Sequence, residues 1–181
     1  MKRTKRLLLV SLAALPLLAY GGFTIAQGAD RADVSDAVSA TASFHDLDTA
    51  QKAGYSFHLP NLAGQTCISN GAVGAMGDHF VNTSLLDGNV DPVHPEALVY
   101  STKPNGTYQL VALEYVATKP AWDEAHGTDA APPVLFGRTF DTIPAPNQFG
   151  LPTFYALHVW IWKPNPSGLF FAWNPSVSCP A

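Results

Sequence analysis

The sequence predicts an α+β fold: a mostly antiparallel β sheet or barrel-like core, with a short N-terminal helix and long loops. Residues 97–118 carry a hairpin pattern, in which two strand-like runs flank a turn. Residues 154–162 form a long, strongly apolar run that is typical of a buried strand. Near residue 47 there is one short helical pattern. Strand signals therefore outweigh helix signals in this chain.

The predicted helix follows Ser43. Asp46 stands three residues after Ser43, which resembles a capping box, and Leu47 and Ala50 share a helical face. Gly54 suits the left-handed conformation that ends many helices. These signals predict a short helix between residues 43 and 54.

The predicted hairpin joins strands 97–102 and 108–118 through the turn-forming residues 103–106. The final strand, 154–162, is apolar on both of its faces. A strand of that kind is usually covered on both sides. The sheet is therefore expected to pack between other elements or to curl around its own interior.

Two long segments show no periodic pattern. Residues 55–77 are interrupted by glycines and a proline, which predicts an irregular loop held at Cys67. Residues 119–148 contain five of the fifteen prolines, which predicts a surface excursion with at most one short strand.

The first 28 residues have the pattern of a signal peptide. Four basic residues precede an apolar run from Leu7 to Ala19, and small residues allow cleavage near positions 26–29. An uncleaved membrane anchor is the alternative, and both interpretations place the domain in a secreted or extracytoplasmic location. Residues 29–42 are small and polar, which predicts a flexible leader, and residues 43–181 are expected to form a single globular domain.

The charge balance bears on the partners. The whole chain carries a net charge of −4. Cleavage of the signal peptide would remove four of the ten basic residues and none of the fourteen acidic residues, which leaves a net charge of −8. Such an acidic domain repels nucleic acid and anionic lipid surfaces. We therefore expect no nucleic-acid partner and no membrane insertion after signal removal, and we expect a small molecule or a metal ion as the partner.

Cys67 and Cys179 are the only cysteines. In an oxidising compartment an even pair of distant cysteines is more often a structural bridge than a reactive or metal-binding pair. The sequence predicts that they form one disulfide.

Three polar residues interrupt apolar segments. His79 follows Gly77 in a partly apolar stretch, His158 stands in the middle of the final strand, and Glu114 interrupts strand 108–118 on a face shared with Leu110. A buried imidazole or carboxylate is costly unless it is paired or coordinates a metal. One centre formed by His79, Glu114 and His158 would satisfy all three, with His45 as a possible fourth ligand.

Two histidines and a carboxylate suit a divalent transition metal such as zinc, copper or iron. No HxH, HExxH or CxxC motif is present, so spacing alone does not define the site. The alternative is three separate polar groups, each satisfied within the core. The remaining histidines, 58, 94 and 126, are interpreted as surface residues.

Three tryptophans near the end of the chain offer another function. Trp160, Trp162 and Trp173 could stack on a sugar-like or apolar ligand, although core packing is the favoured role for most of them. No nucleophile elbow, phosphate-binding loop or haem-attachment motif is present. Whether the domain is an enzyme stays open at this stage.

Several short segments together resemble a family of uncharacterised secreted bacterial proteins. The resemblance implies bacterial export and a single domain, and it brings no activity, ligand or catalytic residue. The segments that carry it are residues 77–82, 95–100, 113–115, 158–162 and 173–175.

Overall fold

The computed structural model describes residues 34–180. The predicted signal peptide, its cleavage site and the beginning of the leader lie outside these residues. Residues 34–41 form a helix, α1, in which Ala37 and Thr41 are fully buried. The Thr41 hydroxyl donates a hydrogen bond to the Ala37 carbonyl oxygen over 2.7 Å. The expectation of a flexible leader is therefore wrong for residues 34–42, because α1 is buried through small residues that leave no strong apolar period.

The short helix near residue 47 is confirmed, but its cap differs from the predicted one. Helix α2 spans Leu47–Lys52, and a 3₁₀ turn, Ala42–His45, precedes it. The Asp46 carboxylate accepts a hydrogen bond from the Thr49 backbone N–H at 2.7 Å. Asp46 is thus the N-cap residue, whereas Ser43 lies inside the 3₁₀ turn.

Seven strands form one antiparallel sheet. The strands are β1 Phe57–His58, β2 Cys67–Asn70, β3 Gly74–Val81, β4 Ala97–Thr102, β5 Tyr108–Thr118, β8 Asp141–Ile143 and β9 Phe154–Val159. Their order is β1-β3-β4-β5-β9-β8, and β2 also pairs with β3. The predicted α+β class is confirmed, and the sheet is open rather than closed into a barrel. None of the described helices has the length and apolar content needed to span a bilayer.

The β4–β5 hairpin has the predicted bounds and the predicted turn. Its register shifts once: Val99 pairs with Ala112, whereas Tyr100 pairs with Leu110. Because of this bulge, Leu110 packs in the same core cluster as Tyr100, away from the Glu114 face. The expectation that Leu110 shares a face with Glu114 is therefore wrong.

The segment 55–77 is not one irregular loop. It contains β1, β2 and the start of β3, and both short strands pair with the same edge of β3. Strands of two and four residues are too short to show a period of two in the sequence.

The segment 119–148 is also more ordered than predicted. It begins with helix α3, Lys119–His126, which the Thr118 side chain caps by accepting from the Ala121 backbone N–H. Two further strands, β6 Val134–Leu135 and β7 Arg138–Thr139, form a separate hairpin, and β8 joins the edge of the main sheet. The three strands are too short for periodicity to reveal.

The sheet buries both faces. One face carries the large core cluster, in which Leu98, Leu113 and Tyr115 pack together with Ala37 and Ala50 from the N-terminal helices. We call the opposite face, which carries Val99, Ala112 and Trp160 with Val177 packed on it, the tail face. The C-terminal tail is held there by the predicted disulfide between Cys67 and Cys179, whose Cα atoms are 5.6 Å apart.

The final strand ends earlier than predicted. β9 stops at Val159, and the Trp160 backbone N–H donates to the Leu169 carbonyl oxygen instead of continuing the ladder. This turn starts the tail that covers the tail face.

Candidate metal centre

Three strands bring the predicted ligands to the tail face. Glu114 on β5 is directly opposite His158 on β9 and, on its other side, directly opposite Ala97 on β4. His79 on β3 is opposite Val99, so it lies on the same face but on the far side of β4. Residues that are directly opposite each other in a ladder share a face.

The long side chains of His79 and Glu114 reach towards each other across β4, where Ala97 is small. Strands β3 and β5 are separated by two inter-strand spacings, about 9–10 Å in total. The side chain of Ala97 is a single methyl group, so the His79 imidazole and the Glu114 carboxylate can meet above β4. On β4, Ala97 is directly opposite Glu114 and Val99 is directly opposite His79, so the two long side chains meet diagonally above the strand.

The Glu114 carboxylate contacts both imidazoles, one with each oxygen. His79 Nε2 lies 3.2 Å from Glu114 Oε2, and His158 Nδ1 lies 3.2 Å from Glu114 Oε1. One potential ligand atom from each residue lies within 4.8 Å of the other two. The prediction that these three side chains meet is confirmed in its geometry.

These separations match a coordination shell. Metal–ligand bonds of 2.0–2.1 Å at a tetrahedral angle place neighbouring ligand atoms about 3.3 Å apart. Charge-assisted N–H···O bonds are usually shorter, about 2.7–2.9 Å. The two 3.2 Å contacts are therefore compatible with ligands around a common ion, and they also lie at the long end of ordinary N–H···O hydrogen bonds.

The centre is buried and incompletely satisfied. His79, Glu114 and His158 are 1%, 7% and 3% exposed. His79 Nδ1 and His158 Nε2 are buried and find no hydrogen-bond partner among residues 34–180. Buried polar atoms are normally paired. These two nitrogens lie on the ring edges that do not contact Glu114, so a metal ion held at the contacting nitrogens would leave both of them unsatisfied.

Electrostatics keep the carboxylate charged. Burial alone would raise the pKa of Glu114, but attraction to His158 and His79, with hydrogen bonds from both rings, holds the pKa well below its usual range. Ionised carboxylate is the form that coordinates a metal ion.

A cavity of about 330 Å³ reaches the centre. Glu114 and His158 line it, whereas His79 does not, so a ligand in the cavity would approach the centre from the Glu114–His158 side. The other lining residues are Met76, Asp141, Ile143, Asn147, Gln148, Phe149, Phe154, Ala172 and Trp173.

A smaller cavity of about 100 Å³ adjoins the first one. Glu114, Phe149 and Phe154 line both cavities. The remaining walls of the smaller cavity are mostly apolar, including Val81 and Val116. The Phe149 side chain thus lies where the two spaces meet.

The other residues predicted to belong to a site lie in different environments. His45 is exposed, its ring packs against Trp162 at a centroid distance of 4.4 Å, and it does not belong to the metal-capable group. Trp160 is 2% exposed and donates its indole N–H to the Phe171 carbonyl oxygen, so it is a core residue. Of the three tryptophans, only Trp173 lines the cavity at the centre.

Sequence reasoning missed the wall residues. Asp141 lies in the segment 119–148, which is interpreted as a surface excursion, and Phe149 follows directly after that segment. No local pattern marks either residue. Sequence reasoning also treated His58 as a surface residue, whereas His58 Nε2 lies 3.0 Å from the buried Asp78 carboxylate. Asp78 also accepts a hydrogen bond from the Thr102 hydroxyl. Asp78 is next to His79 in an extended strand, so their side chains point to opposite faces of the sheet. The His58–Asp78 pair therefore lies on the face opposite the centre.

Comparison with protein-family models, curated proteins and solved structures finds no significant match to the chain. The resemblance to secreted bacterial proteins remains an expectation. The function is therefore inferred from the residues and their geometry.

Proposed function

We propose that this protein is an exported bacterial domain that binds one divalent transition metal ion through His79, Glu114 and His158. The observation that carries the proposal is the pair of 3.2 Å contacts from one buried carboxylate to two buried imidazoles. Three protein ligands would leave at least one coordination position for water or another ligand. The cavity beside Glu114 and His158 would give that position access.

The donor set limits the metal. Imidazole and carboxylate together suit zinc, copper or iron, and the absence of a thiolate ligand argues against a site built for soft ions. A bound ion of this kind supplies Lewis acidity or, if it is redox-active, oxygen activation. The protein's own part is to hold the three buried ligands in place on neighbouring strands.

Two observations support export. The disulfide between Cys67 and Cys179 is typical of oxidising compartments outside the cytoplasm. The predicted signal peptide gives the route.

Elemental analysis of the exported, mature protein tests metal binding. The protein is purified without chelators and without a histidine tag. We expect about one zinc, copper or iron ion per chain, and we expect His79→Ala and His158→Ala to lose it, because each removes one of three ligands. Circular dichroism shows whether each variant remains folded.

His94→Ala is the matched control. His94 is exposed and lies 2.9 Å from Asp91 in a turn away from the centre, so its loss should leave the metal content unchanged. Folded, metal-free wild-type protein that also fails to take up added zinc, copper or iron would contradict the proposal.

The alternative function, an aromatic-lined pocket that binds a sugar-like or apolar ligand without metal, is supported by Trp173 alone among the three tryptophans. The same cavity also contains Glu114 and His158. The two functions therefore concern one site, and ligand binding that survives loss of the metal would favour the alternative.

A further inference from the structure

The cavity at the metal centre has a composition that restricts its ligand. Three aromatic side chains, Phe149, Phe154 and Trp173, line it, with Met76 and Ile143 as further apolar walls. Aromatic and thioether groups favour a flat apolar ligand. Among residues 34–180, no lysine or arginine lines either of the two adjoining cavities.

The polar groups of the cavity are few and differ in availability. The Asn147 side chain is occupied within its own loop, since it donates to the Leu151 carbonyl oxygen and accepts from the Phe149 backbone N–H. Asp141 is exposed and forms no ion pair within the described part of the chain. Asp141 therefore supplies a negative charge to the cavity without an internal cation.

Sheet register fixes where that charge lies. Asp141 on β8 is directly opposite Ala156 on β9, and His158 is two residues further along β9 on the same face. Such diagonal neighbours have Cα atoms about 7–8 Å apart. The Asp141 carboxylate is thus at the β8 side of the cavity, on the same face of the sheet as His158.

We propose that the cavity binds a small aromatic molecule, neutral or cationic, that has an oxygen donor at one end. This inference rests on the proposed metal function. The oxygen donor reaches the metal on the Glu114–His158 side, the ring lies against Trp173 and Phe149, and the far end faces Asp141. Apart from the proposed metal ion, the cavity contains no positive charge from a lysine or arginine of residues 34–180, and Asp141 would repel further negative charge. Phosphorylated and other polyanionic ligands are therefore disfavoured.

Hydroxamic acids are suitable probes, because the hydroxamate supplies oxygen donors for a metal and the rest of the molecule can be varied. Calorimetry on the metal-loaded protein compares benzohydroxamate with acetohydroxamate. Burial of the ring should make benzohydroxamate bind at least about tenfold more tightly. Trp173→Ala should reduce this ratio severalfold, whereas the control Phe171→Ala removes an exposed aromatic group that does not line the cavity and should leave it unchanged.

A second comparison tests the charge. Benzohydroxamate with a para-aminomethyl group should bind severalfold more tightly than benzohydroxamate with a para-carboxylate. Asp141→Asn should remove most of that preference. Asp129→Asn changes the net charge equally, but Asp129 is not a lining residue, so the preference should persist.

The outcomes separate the two proposals. If the protein holds metal and binds acetohydroxamate, but prefers neither benzohydroxamate nor the cationic derivative, the aromatic-ligand inference is overturned and metal binding stands. If elemental analysis before any probe is added shows that the protein cannot be loaded with metal, both proposals are overturned.

Discussion

Glu114 is the residue that connects the two histidines. The residues next to it along β5 are apolar, and each of its carboxylate oxygens faces a different imidazole. An unpaired carboxylate in that position would cost several kcal/mol. The carboxylate is tolerated because two imidazoles lie beside it, and the same contacts lower its pKa.

Glu96 is a second buried carboxyl group, and its electrostatics are the reverse of those of Glu114. It is 2% exposed, and its Oε2 accepts a hydrogen bond from the Val116 backbone N–H at 2.8 Å. Burial raises its pKa from 4.5 to about 8, although the Val116 hydrogen bond partly opposes the shift. No cation is among the causes of the shift, whereas Asp87 and Glu114 raise the pKa further.

We predict that Glu96→Gln becomes increasingly stabilising as the pH rises. A carboxyl group with a raised folded-state pKa favours its neutral form, so its contribution is fully present below pH 4.5 and is lost as the pH rises to about 8. The loss is at most about 1.4 kcal/mol per pH unit. Urea unfolding of the wild type and Glu96→Gln between pH 5 and pH 8 measures the difference.

The control for this experiment is Glu124→Gln, which changes an exposed carboxyl group on α3. Its stability relative to the wild type should vary little over the same pH range. A stability difference for Glu96→Gln that stays constant from pH 5 to pH 8 would contradict the raised pKa.

At the scale of elements, the sequence predicts β4, β5 and β9, the last with too late an end, and it misses β3 and the short strands. The β4–β5 hairpin is predicted because both strands are long and the turn residues between them are distinctive. The early strands β1 and β2 escape prediction because they are short and because glycines interrupt the segment. A glycine is interpreted as a break, yet Gly77 lies inside β3.

Gly77 is required by its backbone conformation and by its surroundings. Its φ is +109°, a value that residues with a side chain rarely adopt. A Cβ at this position would lie 2.4 Å from the Tyr100 carbonyl oxygen on β4. The next two residues along β3 are Asp78 and His79, so Gly77 also affects how His79 is placed.

We predict that Gly77→Ala lowers the free energy of unfolding by more than about 1 kcal/mol, through backbone strain and the clash with β4. Chemical denaturation measures the change. Gly71→Ala is the matched control, because a Cβ there meets nothing within 4 Å. Equal stability of the two variants would show that β3 relaxes without cost.

At the scale of the molecule, the ligands could be predicted and their enclosure could not. His79, Glu114 and His158 each stand out as a polar residue in an apolar stretch, which is a local signal. That they meet depends on the strand order β3-β4-β5-β9, which no local pattern contains. The cavity walls come from a loop near Phe149 and from the tail at Trp173, and their positions are set by packing against the sheet.

The disulfide both stabilises the molecule and attaches the tail that forms one wall of the cavity. Cys67 is on β2 and Cys179 is at the end of the tail, 112 residues further along the chain. Between the bridge and the cavity, Asn174 exchanges backbone hydrogen bonds with Ala75 on β3. The tail that carries Trp173 is therefore attached to β2 by a covalent bond and to β3 by hydrogen bonds.

We predict that Cys67→Ser with Cys179→Ser lowers the free energy of unfolding by about 2–5 kcal/mol, because the bridge restricts a long loop in the unfolded chain. Because the tail is then held by hydrogen bonds and packing alone, the amide of Asn174 should exchange with solvent faster, by a larger factor than the amide of Leu113 in the central strand β5. Denaturation and hydrogen exchange measure the two effects. A reductant should weaken the wild type and leave the double variant unchanged. If Asn174 and Leu113 instead accelerate by the same factor, the tail and the sheet open as one unit, and the bridge stabilises the whole fold without a separate effect on the wall of the metal centre.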